Sequence, residues 1–236
     1  EAGETFLEGA KKTLAEADDN KAKIMDLASG HRGTLNIGVT HSFGSILTES
    51  VLAFKKQFPD VHLNICYRNV AELMGLVSEG ELDFALSFRS YEKFDNVESR
   101  ILFHNKLSII VREDHPLTRK DCVRLADLDG YELILPSAGL QTRSAFDNIV
   151  AERNLNLKVA IEANEVNTIL NILKRSNYVT VLSETVILEH TGLVQIYIDD
   201  AECRMEGCLH FCTTRYRKRS TEEFIRLLSG TKALRI

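Results

Sequence analysis

The 236-residue sequence predicts an α/β protein of two similar units behind a long N-terminal helix, and three observations carry that expectation. Short apolar runs are repeatedly followed by stretches with helical spacing, the strand-helix-strand order of parallel sheets covered by helices. That order begins at Gly33, breaks at the polar stretch 113–121 around Pro116, and begins again at residue 132. Ahead of it, residues 4–29 contain no Pro and are rich in Ala, Leu, Glu and Lys, the composition of a helix.

Taken in order, the helix 4–29 places Leu7, Ala10, Leu14, Ala17, Lys21, Ile24 and Ala28 at alternating spacings of three and four. This is an a/d seam interrupted by Lys21, and Leu7, Leu14 and Ile24 are its candidate dimerisation residues. A helix packed on its own domain is the alternative. Residues 30–33 end the helix as a hinge. Strand 35–39 then opens into a helix at 45–58, whose stripe includes Phe43, Ile46, Leu47, Val51, Phe54 and Phe58. Strand 61–67, helix 71–79 with Gly80 as a left-handed cap, and strands 82–88, 97–103 and 107–111 complete the first unit. The second unit reads as strand 132–135, helix 141–152, strand 158–161, helix 166–175, strand 179–182, a short helix at 185–189 and strand 193–198. A last strand, 208–213, leads to a final helix that Ser220 and Glu223 would start as a capping box.

Composition narrows the function. No apolar run approaches the roughly 20 residues a membrane-spanning helix requires, and the formal charge of −5 argues against a general nucleic-acid surface. Five cysteines without a CxxC pair do not form a secreted disulfide framework, so a reducing cytoplasm is the expected location. The first 20 residues lack the apolar core of a signal peptide, and the absence of a leading Met predicts a fragment of a longer protein.

Enzyme motifs are not found: there is no GxSxG, GxxxxGK, HExxH or GxGxxG. The dipeptide His41-Ser42 does not make a triad, and no catalytic residue is assigned. Cys208, His210 and Cys212 would share one face of a strand, with Cys203 nearby; buried free thiols are the favoured reading over a metal or a redox sensor. No metal and no cofactor is therefore expected. The basic run Arg215, Arg217, Lys218 and Arg219 reads as a solvated turn. What remains is a polar set where strands pass into loops or helices: Thr40, Ser42, Ser45, Ser87, Arg89, Ser137, Gln141, Thr142, Asn164 and Ser183, with Phe43 and Val166 as apolar neighbours. Strand C-terminal edges and helix starts are where α/β sheets bind ligands, especially anions. Ser and Thr also cap helices at such places, and the residues alone leave both uses open.

Several segments, in this order, carry a resemblance: GTLNIGVTHSFGSILTESVLAFKKQFPDVHLNI (33–65), SEGELDFALSF (78–88), REDHPL (112–117), LADLDGYELILPS (125–137) and the final helical stretch. Together they resemble the effector-binding domain of LysR-type transcriptional regulators over nearly the whole chain. The resemblance implies two Rossmann-like lobes of the periplasmic-binding-protein type preceded by a linker helix. Residues 1–32 would be the linker and dimerisation helix, 33–112 plus 213–236 lobe I, and 113–212 lobe II. It also implies a small polar effector, an anion or carboxylate being the candidate, held between two lobes by the polar set above. Self-association as a dimer or tetramer would follow, with DNA reached only through a helix-turn-helix domain missing here and no membrane partner. A transporter solute-binding protein is the alternative from another class. The sequence departs from the family's Gly-x-Gly turn at Ser176, Asn177 and Tyr178, and its strand ends in Leu182 and Ser183 rather than Pro.

Overall fold

A computed structural model describes residues 2–28, 32–90, 92–187, 190–199 and 204–230. Its contacts divide the chain into two compact units, one of Glu1–Val39, Ile46–Arg100 and Cys208–Ile236, the other of Thr40–Ser45 and Ile101–Gly207.

Unit 1 begins with α1, Ala2–Ala28, which realises the predicted helix, and continues into β1, Gly33–Val39. After it come α2 (Gly44–Gln57), β2 (Val61–Tyr67), α3 (Val70–Ser78) and β3 (Phe84–Phe88). β1 lies between β2 and β3 and is parallel to both, pairing Ile37 with Ile65 on one side and Phe84 on the other. The central strand buries Leu35, Ile37 and Val39 completely, as a parallel strand covered on its faces must. α3 is capped by the Asn69 side chain, which accepts from Glu72 N–H at 2.9 Å, and the chain leaves it through Gly80 at φ +75°. That left-handed glycine is where the sequence places it.

The stretch read as two strands, 97–103 and 107–111, is one 16-residue strand, β4, Val97–Arg112. His104, Asn105 and Lys106 break its apolar pattern without breaking its backbone, because strand continuity depends on ladder partners that no local window contains. Likewise β10, Arg204–Cys212, begins before the expected strand and is buried along nearly its whole length. The contact division falls inside these two strands, after Arg100 and after Gly207, earlier than the borders at 112 and 212 read from the sequence.

Unit 2 contains β5 (Cys122–Val123), a strand the sequence did not suggest, then β6 (Glu132–Pro136), α4 (Gln141–Glu152), β7 (Lys158–Ala163), α5 (Val166–Leu173), β8 (Thr180–Ser183) and β9 (Leu193–Ile198). β6 and β7 are parallel, as predicted. β4 is antiparallel to both β8 and β9, so the sheets are mixed rather than wholly parallel. Under α5 the core joins Ile134, Val166, Ile169, Leu170, Leu173 and Leu182. Of the short helix read at 185–189, Glu184–Ile187 forms a 3-10 turn and 188–189 lie outside the described residues.

The chain ends in unit 1 with α6, Arg219–Leu228. Phe224 is fully buried, with ring centroids 5.2 Å from Phe54 and 5.3 Å from Phe84. Burying such a ring contributes about 2–3 kcal/mol, enough to anchor a ten-residue helix. The predicted capping box does not form: α6 starts one residue before Ser220, and its first N–H, that of Arg219, donates to the Asp26 carboxylate at 2.7 Å. The cap is supplied from α1, far away in sequence. Among the described residues no helix is long and apolar enough to cross a membrane.

Candidate functional site

All the predicted ligand residues except Ser87 and Arg89 fall in unit 2, because residues 40–45 make their contacts there. Thr40 is extended (φ −89°, ψ 156°) at the end of β1, and its carbonyl accepts from Phe43 N–H at 3.0 Å to close the 3-10 turn His41–Phe43. Thr40 Oγ1 is buried and makes no hydrogen bond among the described residues. A buried hydroxyl without a partner is costly, and in a native site it calls for a specific reason. Phe43 is fully buried, its ring centroid 5.4 Å from that of Phe103. The Ser42 carbonyl accepts from Thr185 Oγ1 at 3.2 Å.

Behind this turn lies a polar network that the sequence reading missed. Asn105, 1% exposed, donates through Nδ2 to Ser183 Oγ at 2.8 Å and to Thr185 Oγ1 at 3.2 Å, and those two hydroxyls are themselves 2.8 Å apart. Asn105 Oδ1 accepts from Lys106 N–H at 2.6 Å. Every member is satisfied, which makes the network rigid rather than costly. Its signal was present in the sequence: an Asn at a buried position between two apolar strand segments demands partners.

The remaining residues of unit 2 divide. Ser137 is half-buried in the turn after β6, its N–H donating to Ala163 O at 2.9 Å. Gln141 and Thr142 open α4, Gln141 half-buried and Thr142 buried. Asn164 is exposed, and Val166 belongs to the core under α5. Ser45 lies in α2, and its side chain is outside the described residues. Capping does not account for Thr40 or for the residues at the starts of α4 and α5: α4 is preceded by Leu140, which makes no side-chain cap bond, α5 is capped by Glu165, and Thr40 makes no side-chain cap bond to its turn.

In unit 1, Arg89 is exposed just past β3, while the Ser87 hydroxyl points inward. It donates to Phe88 O at 2.9 Å and meets His210 Nε2 at 2.9 Å; His210 Nδ1 lies 2.7 Å from Ser99 Oγ. Nε2–H donating to Ser87 and the Ser99 hydroxyl donating to Nδ1 make a neutral imidazole satisfied on both sides. Burial pushes its pKa down to about 4, and the nearby Arg89 cation acts in the same direction. Cys208 and Cys212 are buried and form no disulfide, and Cys203 lies outside the described residues. No group of three His, Cys, Asp or Glu among the described residues is placed to hold a metal. The basic run is not the solvated turn that was expected. Arg215 pairs with Asp19, Lys218 with Asp83, and Arg217 lies 3.9 Å from the centroid of the Phe211 ring, since unit 1 supplies acidic and aromatic partners that flanking sequence does not reveal.

These features define a two-unit α/β domain, and comparison with known proteins gives its family. The family described as LysR substrate binding domain matches residues 28–232. The HTH-type transcriptional regulator YnfL of Escherichia coli (strain K12), itself uncharacterized, is 28% identical over 211 residues, covering 86% of this chain and 71% of YnfL. Among solved structures, the CcmR regulatory domain of Synechocystis PCC6803 in complex with 2-PG superposes with a TM-score of 0.76 at 20% identity, covering 85% of this chain and 98% of that one. The effector binding domain of QuiR in complex with shikimate gives 0.71 at 18%, covering 84% and 96%.

The fold is thus the periplasmic-binding-protein-like fold of regulatory effector-binding domains. The chain belongs to the LysR substrate-binding-domain family, a ligand-sensing part of a transcriptional regulator and not a transporter's solute-binding protein.

Proposed function

We propose that the strand-end set of unit 2, centred on Thr40, Ser42, Ser137, Gln141, Thr142 and Ser183, binds a small polar effector, an anion being the best fit. The observation that carries this is the buried Thr40 hydroxyl without a hydrogen-bond partner among the described residues, set beside the satisfied Asn105, Ser183 and Thr185 side chains. A ligand acceptor or donor would complete it. Small molecules in the related domains of CcmR and QuiR support a small-molecule ligand here. Ser87 is outside this set, its hydroxyl being engaged by Phe88 and His210 within unit 1.

The effector would act in the cytoplasm on a regulator that reaches DNA through a separate helix-turn-helix domain. Self-association through α1 accompanies this reading, supported by Leu7, Leu14 and Ile24, which stand 56%, 67% and 67% exposed. Mass spectrometry of the purified chain for a co-purifying metabolite, then thermal-shift screening of carboxylates and phosphates, tests the proposal. A hit whose affinity is the same in the Thr40→Val variant would overturn the site assignment.

A further inference from the structure

α1 is attached to its own unit by two carboxylates, two helical turns apart. Asp19 accepts from Arg215 Nε at 2.9 Å and from Tyr216 N–H at 3.1 Å. Asp26 accepts from the Tyr216 hydroxyl at 3.1 Å and from Arg219 N–H at 2.7 Å, the latter capping α6. Between them Lys23 Nζ stands 5.6 Å from the Tyr216 ring centroid.

The seat is shaped for this contact. Gly80 has φ +75°, and a Cβ there would overlap the Arg215 guanidinium, so the cation lies against bare backbone. The N-cap residue of α6, Lys218, makes no side-chain cap bond, which leaves the helix N-terminus to a carboxylate from elsewhere. At about 100° per residue, Asp19 and Asp26 point roughly 140° away from Leu14 and from Ile24, so the seat and the exposed apolar residues use different faces of α1. The seam between α1 and its seat is not closed along its whole length. A cavity of about 360 Å³ opens along it, lined by Asp18, Lys21, Asp26, Arg215 and Arg217 among others. A contact made of directional polar bonds around a cavity can open without exposing a core.

We propose that Asp19 and Asp26 form a releasable latch on the seat of Gly80, Arg215, Tyr216 and the Arg219 amide, and that this latch sets how α1 is carried by unit 1. Through it, a change elsewhere in unit 1 reaches α1 as a change of helix position. The use of the latch in signalling rests on reading α1 as the connection to a DNA-binding domain; the latch itself does not.

Hydrogen exchange on the whole chain tests it, with light scattering at the same concentration to hold oligomeric state in view. In Arg215→Asp and in Asp26→Ala, amides across residues 19–26 should exchange at least about tenfold faster, the loss of one charge-assisted bond, while β1 and β3 keep their protection. The swap Asp19→Arg with Arg215→Asp should recover most of that protection, whatever Arg215→Asp does to overall stability. Unchanged exchange in both single variants would overturn the latch, and so would a swap that exchanges as fast as Arg215→Asp. Ligand binding measured on the same variants separates the two proposals: failure of the latch with binding intact leaves the effector site standing, and the reverse leaves the latch standing.

Discussion

The Ser87 hydroxyl and the His210 ring nitrogen Nε2 meet at 2.9 Å in the interior of unit 1, joining β3 to β10. His210 is held neutral by burial, with a folded-state pKa of about 4 against an ordinary 6.5. The unfolded chain therefore binds a proton that the folded chain refuses across that interval, and stability falls as pH drops from about 6.5 to 4. It is fully present above 6.5 and the loss levels off below 4. From pH 7.5 to pH 5 this one group should cost about 2 kcal/mol, from 1.36 kcal/mol per pKa unit. Urea unfolding at the two pH values measures it, and His210→Gln should flatten the dependence. A slope unchanged by that substitution would place the proton elsewhere.

Thr40→Val should separate binding from stability. Replacing a buried hydroxyl that has no partner by an isosteric methyl removes a desolvation cost, so melting temperature should hold or rise, by up to about 1 kcal/mol. Affinity for an anionic effector should fall about tenfold, the worth of a hydrogen bond to a charged group. Gln141→Ala and Thr142→Val should weaken the same ligand. Calorimetric titration with a validated effector reads both effects, and a Thr40→Val protein that loses stability while keeping its affinity contradicts the assignment.

Asn105→Leu removes the donor shared by Ser183 and Thr185 and the acceptor for Lys106 N–H. The stranded groups should cost roughly 2–3 kcal/mol, measured by denaturant midpoint at constant slope. Asn105→Asp keeps the acceptor but loses the donor and adds a buried charge, so it should be no milder.

Self-association should depend on the exposed face of α1. Removing residues 1–30, or introducing Leu14→Asp with Ile24→Asp, should lower the mass measured by light scattering at micromolar concentration. A dimer that survives both changes would locate the association in the sheet-bearing units.

How much of this was legible in the sequence follows from how local each determinant is. Gly80 was read correctly because a left-handed residue after a helix is a one-residue requirement. The parallel pairing of β1 with β2 followed from the strand-helix-strand order that dictates it. The start of α6 was misplaced because its cap comes from Asp26 on another helix, and β4 was split in two because its continuity rests on neighbouring strands of the sheet, β10 among them, that no local window contains. The polar set at strand ends was visible as residue types in position. The grouping of Thr40 and Ser42 with Thr185 was not, since it is a property of contacts between segments far apart in the chain.

A Cβ at Gly207 would run into the Phe103 ring, and Phe103 in turn leans on Phe43, the residue that closes the turn after Thr40. The position that governs how this aromatic pair can tilt is thus a residue with no side chain, on a strand that contributes nothing polar to the set. Ligand preference in this lineage could drift through Gly207 alone, with every residue of the strand-end set unchanged, so an inventory of those residues would miss the substitution that altered what the domain senses.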